Sequence, residues 1–314
     1  MTWQPTATRE HLAKRAAVLQ NIRTFFAERD VLEVETPLLA HHAGTDPYIQ
    51  PVRCLIGKST KHYYLQTSPE YHMKRLIAAG SGSIFQITKA FRVDDPSRIH
   101  NPEFTMLEWY RIGFDLFQLM DEVEQLLRHI LQTTQIERYT YQAIFQKILQ
   151  LDPFSASLNE LKTWALNKGF SDPGIGDDKD DWLLLLFSYY IEPHLISPTF
   201  VYHFPASQAV LSKIDKTDPT VCARVELYVN GMELGNGFHE LTDANEQRAR
   251  FMSNNEKRAK LNLPVIEIDE NFLAALMAGL PDCAGIALGV DRLVMAALGA
   301  TQINEVLAFP FPRA

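Results

Sequence analysis

Cysteine is scarce in this chain: Cys54, Cys222 and Cys283 are the only three in 314 residues. They are far apart, odd in number and never form a CxxC pair. That excludes a zinc knuckle and a disulfide framework and leaves reduced, mostly buried thiols. Neither GxGxxG nor the GxxxxGK loop occurs, so the two usual phosphate cradles of parallel α/β proteins are missing. A nucleotide would have to be held by side chains and metal instead. Long apolar runs are missing too: stretches such as Leu183 to Phe187 are far too short to span a membrane. The first residues lack the basic and apolar blocks of a signal peptide, so the expected location is the cytoplasm. Positive charge is in deficit, 30 basic against 38 acidic side chains for a net charge of −8. This argues against a surface built throughout to hold phosphate backbones, although a local basic patch is still allowed.

What is present reads as an ordinary globular chain, 46% hydrophobic and 22% charged, with no internal repeat and no low-complexity linker. Apolar residues at Leu12, Ala16, Leu19, Ile22 and Phe25 predict an amphipathic helix over 8–28. A short strand follows from Val31 and stops at Pro37. A strand is expected over 63–67, a helix over 69–79 ended by Gly80, and strands over 83–91 and 103–111. Asp115 caps a predicted helix reaching Gln132. Residues 154–198, with Pro, Gly and Asp clustered around a short helix near Trp182, are hard to read and allow either an inserted subdomain or a long peripheral excursion. Alternation from Val221 to Val229 predicts a half-buried strand, and Asn230-Gly231 supplies the turn into a partner strand over 232–239. Helices over 244–261 and 271–278, a strand over 285–288 and a helix over 290–298 complete the pattern. Strands joined by loops and a hairpin, with helices before and after, predict an α+β fold on an antiparallel sheet.

The segment from Phe91 to Tyr110 carries the densest chemistry. It places Arg92, several carboxylates, His100, Asn101 and aromatic residues on a strand, a loop and a second strand. On the second strand Phe104, Met106, Glu108 and Tyr110 share one face. A carboxylate at Glu108 between Met106 and Tyr110 is costly to bury unless it meets a cation, either a substrate's or a neighbouring arginine's.

This segment, with its run His100-Asn101-Pro102-Glu103-Phe104-Thr105-Met106-Leu107-Glu108, resembles motif 2 of class II aminoacyl-tRNA synthetases in its lysyl and asparaginyl form. Val31 to Pro37 is similar to the end of motif 1, the dimer-interface helix and strand. Gly285-Ile286-Ala287-Leu288-Gly289-Val290-Asp291-Arg292 is similar to motif 3. Between them, Glu233 to Glu240 resembles the lysine-recognition hairpin of lysyl-tRNA synthetase. The four segments fall in the family's order and span residues 31 to 292.

The resemblance implies a role for each matching position. Arg92 would hold the ATP α-phosphate and the substrate carboxylate, a bidentate fork where negative charge builds. Phe104 and Arg292 would sandwich the adenine, and Gly289 would let the backbone come close to the nucleotide. Val93, Asp94, His100, Asn101, Glu233 and Leu234 would face ATP. Glu226 and Glu233 would bind Mg²⁺ across the phosphates. Glu70, Glu108 and Glu240 would hold the two ammonium groups of the amino acid, with Ser68, Pro69, Tyr110, Asn236, Phe238 and Ala287 shaping the pocket.

Several departures redirect the expected function. A lysyl-tRNA synthetase carries an anticodon-binding barrel ahead of its catalytic core, whereas here the motif 1 helix begins by about residue 8. This removes tRNA from the expected partners. Ser68 stands where lysyl synthetases have Ala, and Ala287 where they have Gly. With Gln66 to Arg75, Glu108 to Arg111 and Gly237 to Asp243, these features resemble the elongation factor P–(R)-β-lysine ligases, a paralogue family of stand-alone catalytic domains. The resemblance implies one catalytic domain over 1–314, a homodimer, ATP and Mg²⁺, (R)-β-lysine as substrate and elongation factor P as acceptor. Asp94 departs from both families, which have Glu there, and its shorter arm shifts that contact to ATP. Two alternatives stay open: a truncated lysyl-tRNA synthetase, and a catalytically dead paralogue, against which the retained Arg92, Arg292 and glutamates speak.

Overall fold

The structure is a computed structural model that describes residues 3–58, 60–171 and 174–314. Met1, Thr2, Ser59, Asp172 and Pro173, which the sequence reading ran through, lie outside the described residues. The chain divides into two compact units, residues 1–132 with 240–314, and residues 133–239.

The first unit opens with α1 (Arg9–Ala27), whose first turn is closed by the Thr8 side chain accepting from the His11 amide. Strands β1 (Leu32–Glu33), β2 (Leu39–Ala40), β3 (Val52–Cys54) and β4 (Tyr63–Leu65) follow, then α2 (Glu70–Ala78). The predicted strand from Val31 to Pro37 shrinks to Leu32–Glu33. Next come β5 (Ile84–Phe91), β6 (Glu103–Ile112) and α3 (Leu116–Leu131), the last capped reciprocally by Asp115 and Gln118.

The second unit holds β7 (Glu137–Thr140), α4 (Tyr141–Leu149), α5 (Leu158–Asn167), α6 (Lys179–Leu186), β8 (Thr199–Pro205), β9 (Val221–Val229) and β10 (Met232–His239). Strand β9 pairs antiparallel with both β8 and β10, and β7 lies parallel to β8. Asn230 and Gly231 take φ of 54° and 67°, the positive pair that the predicted hairpin turn needs. The segment 154–198 lies within this unit. Its Leu161, Trp182, Leu186 and Ile191 pack with Tyr141, Phe145 and Tyr228 in one apolar cluster.

The chain then returns to the first unit with α7 (Ala244–Lys260), α8 (Glu270–Gly279), β11 (Cys283–Gly289) and α9 (Val290–Leu298). Here β6 pairs antiparallel with β5 and β11, while β1 adds a short parallel edge to β5. The two faces of β6 do different work. Trp109 is fully buried against Phe26 of α1, which in turn stacks on Phe85 with ring centres 4.6 Å apart. That face forms the core with α1, α3 and α9, so the face carrying Glu108 and Tyr110 is left for chemistry. The α+β fold expected from the sequence is the one that forms.

Candidate active site

Sequence predicts that Glu70, Glu108 and Glu240 gather, and the first unit brings them together. Glu70 opens α2, Glu108 sits mid-strand on β6, and Glu240 is held beside β11 by its amide donating to the Cys283 carbonyl at 3.0 Å. Glu108 and Glu240 are each only 1% exposed. Among the described residues Glu108 meets no arginine. Its Oε2 accepts from the Ser68 hydroxyl at 2.7 Å and its Oε1 from the Tyr110 hydroxyl at 2.6 Å. Ser68 also accepts the Glu70 amide at 3.1 Å and so fixes the start of α2. Pro69 sets the N-terminal end of that helix without a side-chain cap.

Lys74, which the site prediction passes over, lies at the centre of this arrangement. Only 1% exposed, its ammonium is 2.6 Å from Glu70 Oε1 and 2.5 Å from Glu240 Oε2. The signal was available, because Glu70 and Lys74 are four residues apart and therefore neighbours on one helical face. Burial works against the Lys74 charge, but Glu240 and Glu70 outweigh it and raise its pKa. Burial raises Glu240 to about 8, with Lys74 pulling it down and Glu70 pushing it up. Glu108 rises to about 7, through burial first and the Glu70 charge second. The pocket thus holds protons near neutrality that an arriving ammonium group would displace.

Register explains two further positions on β11. Ala287 is paired with Glu108, so its methyl lies on the carboxylate face. Gly285 is paired with Tyr110 and was not foreseen as a site residue. A Cβ there would stand 2.3 Å from the Tyr110 ring and 3.0 Å from Glu240 Oε1, so only glycine leaves room for both. By contrast, Gly289 has φ −73°, a conformation open to any residue.

The nucleotide candidates of the first unit cluster around the loop between β5 and β6. The Arg92 guanidinium lies over the Phe104 ring, 5.2 Å from its centre. His100 is held down in pKa by burial and then by Arg292, with Asp94 pushing the other way and Arg92 reinforcing Arg292, which puts all four in one neighbourhood. Val93 and Asp94 are exposed. Asn101 is buried, and its amide serves the backbone, donating to the Glu103 carbonyl at 2.6 Å and accepting from the Phe311 amide at 2.8 Å. Behind the cluster Asp291 takes the Arg15 guanidinium at 2.6 Å and the Thr105 amide at 2.9 Å, tying α1, β6 and α9 together next to Arg292.

The remaining candidates, Glu226, Glu233, Leu234, Asn236 and Phe238, belong to the second unit. Pairing places Glu226 opposite Asn236, Arg224 opposite Phe238 and Tyr228 opposite Glu233. A bulge between Glu233 and Gly235 restores the parity, so Glu233 and Asn236, three residues apart, share one face. Leu234 is buried at that bulge. Glu226 accepts from Arg224 and Asn236 on one oxygen and from Tyr228 on the other. Asn236 Oδ1 is buried without a hydrogen-bond partner. Two carboxylates and an orphaned amide oxygen make a hard donor set that suits Mg²⁺, which uses few protein ligands and completes its shell with phosphate and water. Among the described residues no group of three or more His, Cys, Asp or Glu could hold a metal by itself. No helix among them is long and apolar enough to cross a membrane.

Two buried carboxylates and a half-buried third, beside an arginine-stacked aromatic, suit a site that takes a diamino acid and a nucleotide. The family model for "tRNA synthetases class II (D, K and N)" matches residues 1–313, and the chain belongs to that family. Within it, the chain is 50% identical to proteins named elongation factor P–(R)-β-lysine ligase from Salmonella paratyphi B, Salmonella heidelberg and Salmonella enteritidis. Each alignment covers 100% of this chain and 98% of the relative.

Proposed function

We propose that this chain uses ATP to activate (R)-β-lysine and passes the β-lysyl group to the ε-amino group of a lysine on elongation factor P. The observation that carries the reading is the convergence of Glu70, Glu108 and Glu240 in a buried pocket, more negative charge than a neutral amino acid would need. Full-length likeness to ligases of that name supports the choice of β-lysine and of the acceptor.

In the first step the substrate carboxylate attacks the α-phosphorus of ATP in line, and pyrophosphate leaves. Arg92 would bind both the carboxylate and the α-phosphate, a fork placed where negative charge grows. Phe104 and Arg292 would hold the adenine, with Val93, Asp94, His100, Asn101, Leu234 and Gly289 in the nucleotide's neighbourhood. Glu226 and Glu233 would hold Mg²⁺, which neutralises phosphate charge when bound. In the second step the deprotonated ε-amine of the acceptor attacks the acyl carbon, and AMP departs. The AMP phosphate is a candidate acceptor for the amine's proton. Both steps rest on positioning and charge stabilisation and need no covalent enzyme intermediate.

In the first unit Ser68, Pro69, Tyr110 and Ala287 would distinguish a β-amine from an α-amine, while roles for Asn236 and Phe238 rest on the motif resemblance alone. A translation factor as acceptor puts the work in the cytoplasm. A homodimer fits the exposed Leu32, Leu38 and Leu39 around the segment that resembles motif 1. The direct test is ATP–pyrophosphate exchange. Exchange driven by (R)-β-lysine more strongly than by α-lysine, abolished by Glu240→Ala or Arg292→Ala, is the expected result. Normal exchange in either variant would refute the assignment.

A further inference from the structure

Three carboxylates in one pocket raise the question of what keeps them from repelling one another before substrate arrives. The groups that face Lys74 answer it. Glu70 contacts it from its own helix and Glu240 from beside β11, while the Tyr110 ring centre is 5.9 Å away. The Lys74 charge in turn acts on Glu108 through space. Among the described residues no other charged side chain contacts its ammonium. Once substrate has displaced the protons and all three carboxylates are ionised, Lys74 cancels one of the three negative charges and leaves two.

We propose that Lys74 is a positioning residue that fixes Glu70 and Glu240 and sets the pocket's free charge to match a substrate with two ammonium groups. This rests on the reading of the pocket as an amino-acid site. Lys74 does not touch the reacting atoms. It acts by holding two carboxylates at fixed points and by making their ionised forms tolerable in a buried place. The raised pKa values of Glu108 and Glu240 agree, since even with Lys74 present the pocket still takes up protons near neutrality.

Removing the internal cation makes the free pocket hold protons more tightly, and substrate must then displace more of them. Two neutral variants, Lys74→Met and Lys74→Gln, and one charged variant, Lys74→Arg, separate charge from packing. Binding of (R)-β-lysine is followed by calorimetry in buffers of different ionisation heat, with pyrophosphate exchange measured alongside, from about pH 6.5 to 8.5. In the neutral variants the amino-acid Kd and KM should fall with rising pH more steeply than in wild type, by up to about tenfold per pH unit for one extra linked proton. Proton release on binding should rise with it. The value of kcat at saturation should stay within about threefold, because the reacting centre is untouched. Lys74→Arg should keep the wild-type slope even if its affinity is lower, and either neutral variant suffices if the other fails to fold. A common shift at every pH in all three variants would overturn the proposal and reduce Lys74 to packing. Wild-type binding with proton release but no exchange would sink the catalytic reading and leave the role of Lys74 standing. No binding by wild type would overturn both.

Discussion

Each pocket residue is there because a neighbour forces its choice. Glu108 can be buried because two hydroxyls, from Ser68 and Tyr110, take its oxygens. Tyr110 can reach it because Gly285, opposite on β11, has no side chain. In Gly285→Ala the new methyl would meet the Tyr110 ring and push its hydroxyl off Glu108. We expect a stability loss of about 1–3 kcal/mol from overpacking. The KM for amino acid should rise at least about tenfold while the KM for ATP changes less than about twofold. An unaltered amino-acid KM would show that Tyr110 does not orient Glu108. Most of these residues were legible in the sequence, because Glu70, Glu108 and Glu240 stand inside motifs. Lys74 and Gly285 were quoted within those motifs but not singled out. Their importance depends on pairing across β6 and β11 and on burial, which no local pattern reveals.

At the scale of elements, β6 divides its labour by parity, with Trp109 into the core and Glu108 into the pocket. The alternation in the sequence was enough to see this. The parity on β10 was not visible, because the bulge at Glu233 to Gly235 breaks the simple period of two. Strands β7 and β8 and helix α4 also escaped notice. These elements are short, and their apolar residues serve one shared cluster rather than a periodic face. The joint between α1, β6 and α9 is polar and buried, with Arg15 meeting Asp291 and Thr105. Arg15→Ala leaves the buried Asp291 carboxylate with the Thr105 amide but without its cation, and breaking such a pair costs about 3 kcal/mol. Denaturant melts should show a loss of that size, with a higher KM for ATP because Arg292 is the next residue on α9. Adding Asp291→Asn should recover part of the stability. Equal stability of Arg15→Ala and the native chain would mean the joint is solvated.

At the scale of the whole molecule, an acidic chain without a phosphate-cradling loop belongs to the class II tRNA synthetases. The fold class was readable from the order of strands and helices. The boundary of the second unit was not, since residues 133–153 and 199–239 join the 154–198 excursion through long-range packing. Acceptor choice is the property least tied to any single residue, and it is where the function is most exposed to test. The most direct measurement gives the purified protein ATP, Mg²⁺ and labelled (R)-β-lysine or α-lysine, together with elongation factor P or bulk tRNA. The account predicts label on elongation factor P, preferentially from (R)-β-lysine. Label on tRNA would contradict it and make this a minimal lysyl-tRNA synthetase, and label on neither would contradict it in favour of an inactive paralogue.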